Sequence, residues 1–346
     1  MMTSAAKIEL LRKLPKIELH IHLEGSIQPT TALELARKND VDLPPCNSPE
    51  ELYSYTDLNA FLGVYTAISQ SVVKIDDFRR ITYEMLENAA QSGARYVEFF
   101  ISPHAHKDVP FADQFEGIRA GMRDALADYR IRSAIISGMN RQLGADAGEE
   151  YLDEILANRA DDLIGLGLDY YEAPFPPELY GDVFARARKA GLRLSAHAGE
   201  AGPAAFVAGS IDALHVDRID HGYNIVDNPD LVARCRDMGI MFTCCPSTTK
   251  YTTEHRDLKS PDHPIRVMKE SGLAVSINSD DPPMFRTDLN TEFVVAMDDL
   301  GFSAHDIGTS IQATIDHSWA DDADKRQWRA EWTPEIDLIV AQLQRQ

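Results

Sequence analysis

The sequence predicts an α/β fold, a (β/α)8 barrel with extra helices inserted after the first strand. Three observations point there. Eight short apolar runs, rich in β-branched residues and bounded by turn residues, are spread through the 346 residues. Amphipathic helical patterns lie between them, and strands alternating with helices imply a parallel sheet. Histidines and carboxylates gather at the ends of four runs, where a barrel carries its chemistry.

The first run, KIELHIHL (16–23), ends in two histidines and is followed by a long gap, about residues 24 to 94. The gap holds PTTALELARKN, DLNAFLGVYTAISQSV and IDDFRRITYEMLENAAQSG, read as helices folded over the barrel mouth. RYVEFFIS (95–102) and RSAIISGM (132–139) follow, with the helical pattern FEGIRAGMRDALADY (115–129) between them. GEEYLDEILANRA (148–160) leads to LIGLGLDY (163–170), and LYGDVFARARKAG (179–191) leads to LRLSAHAG (192–199). RIDHGYNI (218–225), the helical NPDLVARCRDMG (228–239), MFTCCPST (241–248) and AVSINSDD (274–281) complete the order. Two helices close on Gly191 and Gly239, as helix C-termini often do. No repeat or linker divides the chain, so 1–346 reads as one domain with the barrel proper at about 14–320.

Lys and Arg number 34 against 55 Asp and Glu, a net charge of −21. Such a chain repels phosphate backbones and anionic membranes, which argues against nucleic-acid and membrane partners. No apolar run is long enough to span a bilayer. The opening MMTSAAKIELLRKLPK is too polar for a signal-peptide core. Cys46, Cys235, Cys244 and Cys245 form no CxxC pair, and adjacent Cys244 and Cys245 suit a buried strand. A reducing cytoplasm is the expected compartment.

The strand ends carry the candidate chemistry. His20 and His22 are two apart, a spacing that places both imidazoles on one face of a strand, here the lumen. His197 in HAGE adds a third nitrogen and Asp280 in SDD an oxygen. A His3Asp set suits one Zn2+ with room left for water, and zinc lowers the pKa of bound water from 15.7 to about 7. His221 in DHG is placed to orient or deprotonate that water. Glu200 is the candidate proton donor, if burial raises its pKa. Asp281 either turns toward substrate or caps a helix before Pro282-Pro283. A second HxH, His104 and His106, follows a strand-breaking region at Pro103 and reads as rim or loop. His255, His263, His305 and His317 read as solvated residues without partners.

PKIELHIHLEGSI, HAGEAG, RIDHGYNIVDNPDL and SINSDDPPMF together resemble the adenosine and adenine deaminases of the amidohydrolase superfamily. The resemblance runs in order from about residue 13 to beyond 320. It implies one zinc per chain held by His20, His22, His197 and Asp280, and hydrolytic removal of the 6-amino group of a small purine. By the same resemblance Glu200 protonates N1, His221 orients or deprotonates the water, and Asp281 accepts a hydrogen bond from N7. Glu24, His22 and Tyr171 would also contact the substrate. Glu24 in HLEGS and the Asp220 of RIDHG look more like the adenine-acting branch, whereas Tyr223 in HGY resembles the nucleoside enzymes. Adenosine, adenine and modified 6-aminopurines therefore all stand as substrates, beside another mononuclear-zinc reaction on a cyclic amidine or amide. A dinuclear amidohydrolase would want a lysine at the end of strand four, where the sequence reads GLGLDYYE. The cytidine deaminase fold would want HxE with PCxxC, which is absent. A scaffold protein would be expected to have lost at least one of the motif residues.

Overall fold

The computed structural model describes residues 4–106 and 108–345. Its eight parallel strands follow chain order around a (β/α)8 barrel. They are β1 (Lys16–Glu18), β2 (Ala94–Ile101), β3 (Arg132–Asn140), β4 (Leu163–Asp169), β5 (Arg193–Ala198), β6 (Arg218–His221), β7 (Met241–Cys244) and β8 (Ala274–Ile277). The strands are almost entirely buried, as apolar runs covered on both faces must be.

The barrel closes through residues expected to work in the site. Between β1 and β8 the Ile21–Asp280 bridge replaces a continuous ladder. His22 donates its backbone N–H to the Asp280 carbonyl at 2.9 Å, and Asp280 donates to the His20 carbonyl at 3.1 Å. Asn278 Oδ1 accepts the Leu19 N–H at 2.9 Å.

Several strands are shorter than their apolar runs. β1 stops at Glu18, β6 at His221, β7 at Cys244 and β8 at Ile277. At β6 the turn is at its last residue, His221, with a left-handed φ of 66°, and Asp280, three residues beyond β8, has one of 64°. Such positions cost about 1–3 kcal/mol each and persist where the surroundings over-determine them.

Of the three helical patterns placed over the mouth, the second lines the cavity there, while helix Pro29–Asn39 is tied to the third by Thr31 Oγ1, which donates to Glu84 at 2.9 Å. Helix Leu58–Ser69, capped by Asp57 accepting the Ala60 N–H at 2.9 Å, lies over the barrel opening. Helix Ile75–Gln91 instead packs in the outer ring against helix Phe111–Tyr129. Gly117 and Gly121 permit that approach: a Cβ on them would come within 2.3 Å of the Ile75 carbonyl and 2.5 Å of the Arg79 carbonyl. At the opposite end of the barrel, Trp319 stacks 3.9 Å from the Arg218 guanidinium, which donates to Glu98 at 2.6 Å. All four cysteines are free, with Cys244 and Cys245 buried as expected. Among the described residues no helix is long and apolar enough to cross a membrane.

Candidate active site

His20, His22 and His197 each offer a nitrogen within 4.8 Å of the others. His20 Nε2 stands 3.3 Å from His22 Nε2. Asp280 Oδ1 stands 3.2 Å from His20 Nε2 and 3.4 Å from His22 Nε2. Two donors each about 2.0–2.1 Å from one zinc ion, at a tetrahedral angle, are about 3.3 Å apart. The three observed separations match those expected of donors around one ion, and His20, His22 and Asp280, with His197 close to the two imidazoles, fit a zinc-like cation. Burial disfavours a charged ring at His20, yet Asp280 and Asp220 outweigh it and raise its pKa to about 9. Burial holds His22 down at about 4.

The groups behind the donors fix their orientation. His20 Nδ1 lies 2.8 Å from Thr243 Oγ1, whose hydroxyl donates to Asp220 Oδ1 at 2.8 Å. That chain keeps the proton on Nδ1 and leaves Nε2 free to ligate. Asp220 sits beside His197 in the sheet register, its Oδ2 3.7 Å from His197 Nδ1. Thr248 Oγ1 donates to Asp280 Oδ2 at 2.9 Å, leaving Oδ1 for the cation.

Glu200 and His221 face each other across the same point, Oε2 to Nε2 at 3.8 Å. Burial, reinforced by Asp280, pushes the Glu200 carboxyl up to about 8, so it carries a proton at neutral pH. Burial, with His20 beside it, pushes His221 down to about 3, so its ring is neutral. Tyr223 Oη accepts the Cys245 N–H at 3.0 Å and lies 3.3 Å from the Cys245 carbonyl, to which it donates. It lies 3.1 Å from His221 Nδ1 and so accepts from that nitrogen. This network assigns the tautomer, with the Nε2 lone pair open to a water proton. One buried acid and one buried base flank one cation position.

Asp281 comes to the same cavity and caps no helix. Its Oδ1 has no hydrogen-bond partner. Burial and the charge of Asp280 push its carboxyl well above the usual carboxylate range. Gly25 makes room: a Cβ there would stand 1.5 Å from Asp281 Oδ1.

The cavity measures about 50 Å3, with the polar groups below and Phe61, Leu62, Tyr65 and Phe285 above. A polar floor under an aromatic roof suits a flat ring. Two expected substrate contacts do not line it. Glu24 is buried behind Tyr65: its Oε1 accepts the Ser102 N–H at 2.9 Å and lies 2.9 Å from His106 Nε2, and its Oε2 accepts the Tyr65 hydroxyl at 3.1 Å. At the end of β4, Asp169 and Tyr170 face the cavity rather than Tyr171. Tyr170 has φ 68°, which swings its ring inward one residue before the position read from sequence.

Other readings of single residues need correction. His104 and His106 lie in the turn after β2, the loop reading of the two, but they are not solvated. His106 is buried beside Glu24, and the His104 ring packs on Tyr151 and Tyr170. His263 is buried 3.3 Å from Thr249 Oγ1. His255 lies 3.1 Å from Asn224 Oδ1, and His317 reaches the Gly239 carbonyl at 3.0 Å. Of the four histidines expected to be solvated, His305 alone is plainly exposed. Sequence reasoning missed Asp169 and Glu172. Glu172 accepts all four backbone N–H groups of residues 199–202. An acid three residues beyond an apolar strand was its available signal.

Residues 15–332 match the family model described as Adenosine deaminase. An adenine deaminase of Cupriavidus metallidurans is 33% identical over 335 residues, covering 96% of this chain and 94% of its own. Among solved structures, a zinc-bound amidohydrolase of B. ambifaria superposes with a TM-score of 0.93 at 37% identity, covering 100% of this chain and 96% of its own. The adenine deaminase of Arthrobacter aurescens gives 0.87 at 34% identity, covering 95% and 99%. With the family model spanning nearly the whole barrel, the chain belongs to the adenosine deaminase family and is a hydrolytic deaminase acting on C–N bonds.

Proposed function

We propose that the protein removes the 6-amino group of a free 6-aminopurine base, adenine or a close derivative, giving the 6-oxopurine and ammonia with one zinc ion per chain. His20, His22, His197 and Asp280 would hold that ion, which when bound supplies a Lewis acid that brings the pKa of water near 7. His221 Nε2 takes a proton from the attacking water. Glu200 passes its proton to N1, which makes C6 electrophilic as the water oxygen adds there. Asp281 donates to the N7 lone pair and fixes the ring. The proton taken up by His221 then passes to N6, the C6–N6 bond breaks and ammonia leaves, while the C6 hydroxyl returns its proton to the Glu200 carboxylate to give the 6-oxopurine.

The observation that carries this reading is the pairing of a neutral Glu200 with a neutral His221, 3.8 Å apart, around the His20, His22 and Asp280 cluster. An aromatic amidine is a poor electrophile, so acid and base must act together. The base is favoured over a nucleoside because Glu24, at the position where nucleoside-acting members of the family carry an aspartate toward the ribose, is held away from the cavity by Ser102, Tyr65 and His106. The cavity of about 50 Å3 is small for either ligand, so the roof must yield for substrate to enter. The test is ammonia release from adenine, adenosine and AMP by zinc-loaded protein. Adenine should be turned over fastest; turnover of none of the three overturns the reading.

A further inference from the structure

Asp169 ends β4, is 2% exposed, and has no hydrogen-bond partner on either carboxyl oxygen. It lines the reaction cavity. A buried carboxyl left without partners is rare in a folded protein and asks what completes it. Arg141 is the cation that acts on it most strongly, yet the two make no hydrogen bond. Arg141 Nη2 donates instead to the His197 carbonyl at 2.7 Å. Gly138 leaves the space the carboxyl occupies, since a Cβ there would stand 2.1 Å from Asp169 Oδ2. Burial outweighs Arg141 and pushes the group up to about 8, so near neutrality it presents one O–H donor and one carbonyl acceptor.

Its place around the barrel says which edge of a purine it meets. β4 neighbours β5, which delivers Glu200, and lies across the ring of strands from β8, which delivers Asp281. With Glu200 at N1 and Asp281 at N7, the edge facing β4 is N3 and N9. In a free base that edge offers an acceptor at N3 and a donor at N9–H, on either side of one carbon. A protonated carboxyl is its two-point complement.

We propose that Asp169 determines specificity by reading the N3/N9–H edge of the free base, its O–H donating to N3 and its carbonyl accepting from N9–H. This rests on the 6-aminopurine reading of the site. A nucleoside, with carbon on N9, loses one contact and leaves a buried oxygen unpaired. Sites built around a substrate N–H reject analogues that lack it.

The test compares adenine with 9-methyladenine in wild type, Asp169→Asn and Asp169→Leu, with zinc content and melting temperature checked in each preparation. Asparagine keeps one donor and one acceptor in the same places; leucine keeps neither at similar volume. Wild type should prefer adenine by about 10²-fold or more in kcat/KM. Asp169→Asn should stay within about tenfold of wild type on adenine and keep the preference. Asp169→Leu should lose it, with adenine falling to the level of 9-methyladenine; Asp169→Ala gives the same readout should the leucine variant not fold. Active variants that keep the wild-type preference without a carboxyl or amide at 169 overturn the proposal alone. Failure of wild type to release ammonia from either purine overturns the deaminase reading and the proposal with it.

Discussion

Glu172 holds Glu200 in place through the backbone. Its Oε1 accepts the N–H groups of Glu200 and Ala201 at 2.8 Å and of Gly202 at 3.0 Å, while Oε2 accepts that of Gly199 at 2.8 Å. The turn carrying the proton donor is folded around one carboxylate that never reaches the cavity. Glu172→Gln keeps the shape but turns an NH2 group against a backbone donor. A hydrogen bond to a charged acceptor contributes about 1.5–3 kcal/mol, and a loss of that size is expected in urea unfolding. Because Glu200 shifts with the turn, kcat should fall while zinc content holds. Unchanged stability and kcat would make Glu172 a bystander.

Gly25 is the counterpart on the other side of the ring. A methyl at this position would overlap Asp281 Oδ1, only 1.5 Å from the ideal Cβ. Gly25→Ala should therefore displace Asp281 from N7. The expected signature is a folded, zinc-loaded protein whose kcat/KM for adenine drops at least about tenfold, as misplacement near the chemistry commonly costs. A variant with normal kinetics would show that Asp281 does not fix the ring.

The pH dependence follows from Glu200. Its folded pKa, raised from 4.5 to about 8, makes the native state the tighter proton binder between those values. The stability this group contributes is therefore complete below about pH 4.5 and is lost as pH rises through about 8. Activity has the same sense, since only the protonated acid can serve N1. A plot of kcat/KM against pH should fall above about 8 in wild type, and the residual activity of Glu200→Gln should lack that limb. An identical limb in both proteins would assign it to another group.

Metal content gives an independent check. His20→Ala and Asp280→Ala each remove a donor from the 3.2 Å pair and should lose zinc and activity together. Chelation of wild type should do the same, reversibly on adding zinc back. His104→Ala is the control: its ring nitrogens contact no donor cluster, so metal should remain at about one per chain by elemental analysis. Active protein free of transition metal contradicts the account.

Much of this site is legible in the chain because its donors sit in or just beyond the ends of apolar strands. The two-residue spacing of His20 and His22 puts both rings on one face, and their Nε2 atoms do meet at 3.3 Å. His197 comes from inside β5 and His221 from the last residue of β6. What stays hidden depends on conformations that periodicity does not encode. Tyr170 takes φ 68°, so the cavity receives Tyr170 instead of Tyr171. Glu24 is in the expected motif, but its partners Ser102 and His106 come from beyond β2, about 80 residues away, and draw it out of the cavity. Glu172 serves a turn 27 to 30 residues ahead, a pairing set by adjacent strands. The extra helix Ile75–Gln91 carries an amphipathic pattern that fits the outer ring as well as a lid, and only its glycine-lined neighbour decides which.

The most direct measurement is a steady-state deaminase assay on Glu200→Gln beside wild type, with zinc content and melting temperature measured in the same preparations. Glutamine matches the shape of glutamate but cannot pass a proton to N1, and the His20, His22, His197 and Asp280 cluster is untouched. The predicted result is a folded, zinc-loaded, purine-binding protein whose kcat for adenine has fallen at least about 10²-fold, the lower end of general-acid contributions. A zinc-loaded variant with near-normal kcat would contradict the central claim, because the reaction would then proceed without its proton donor.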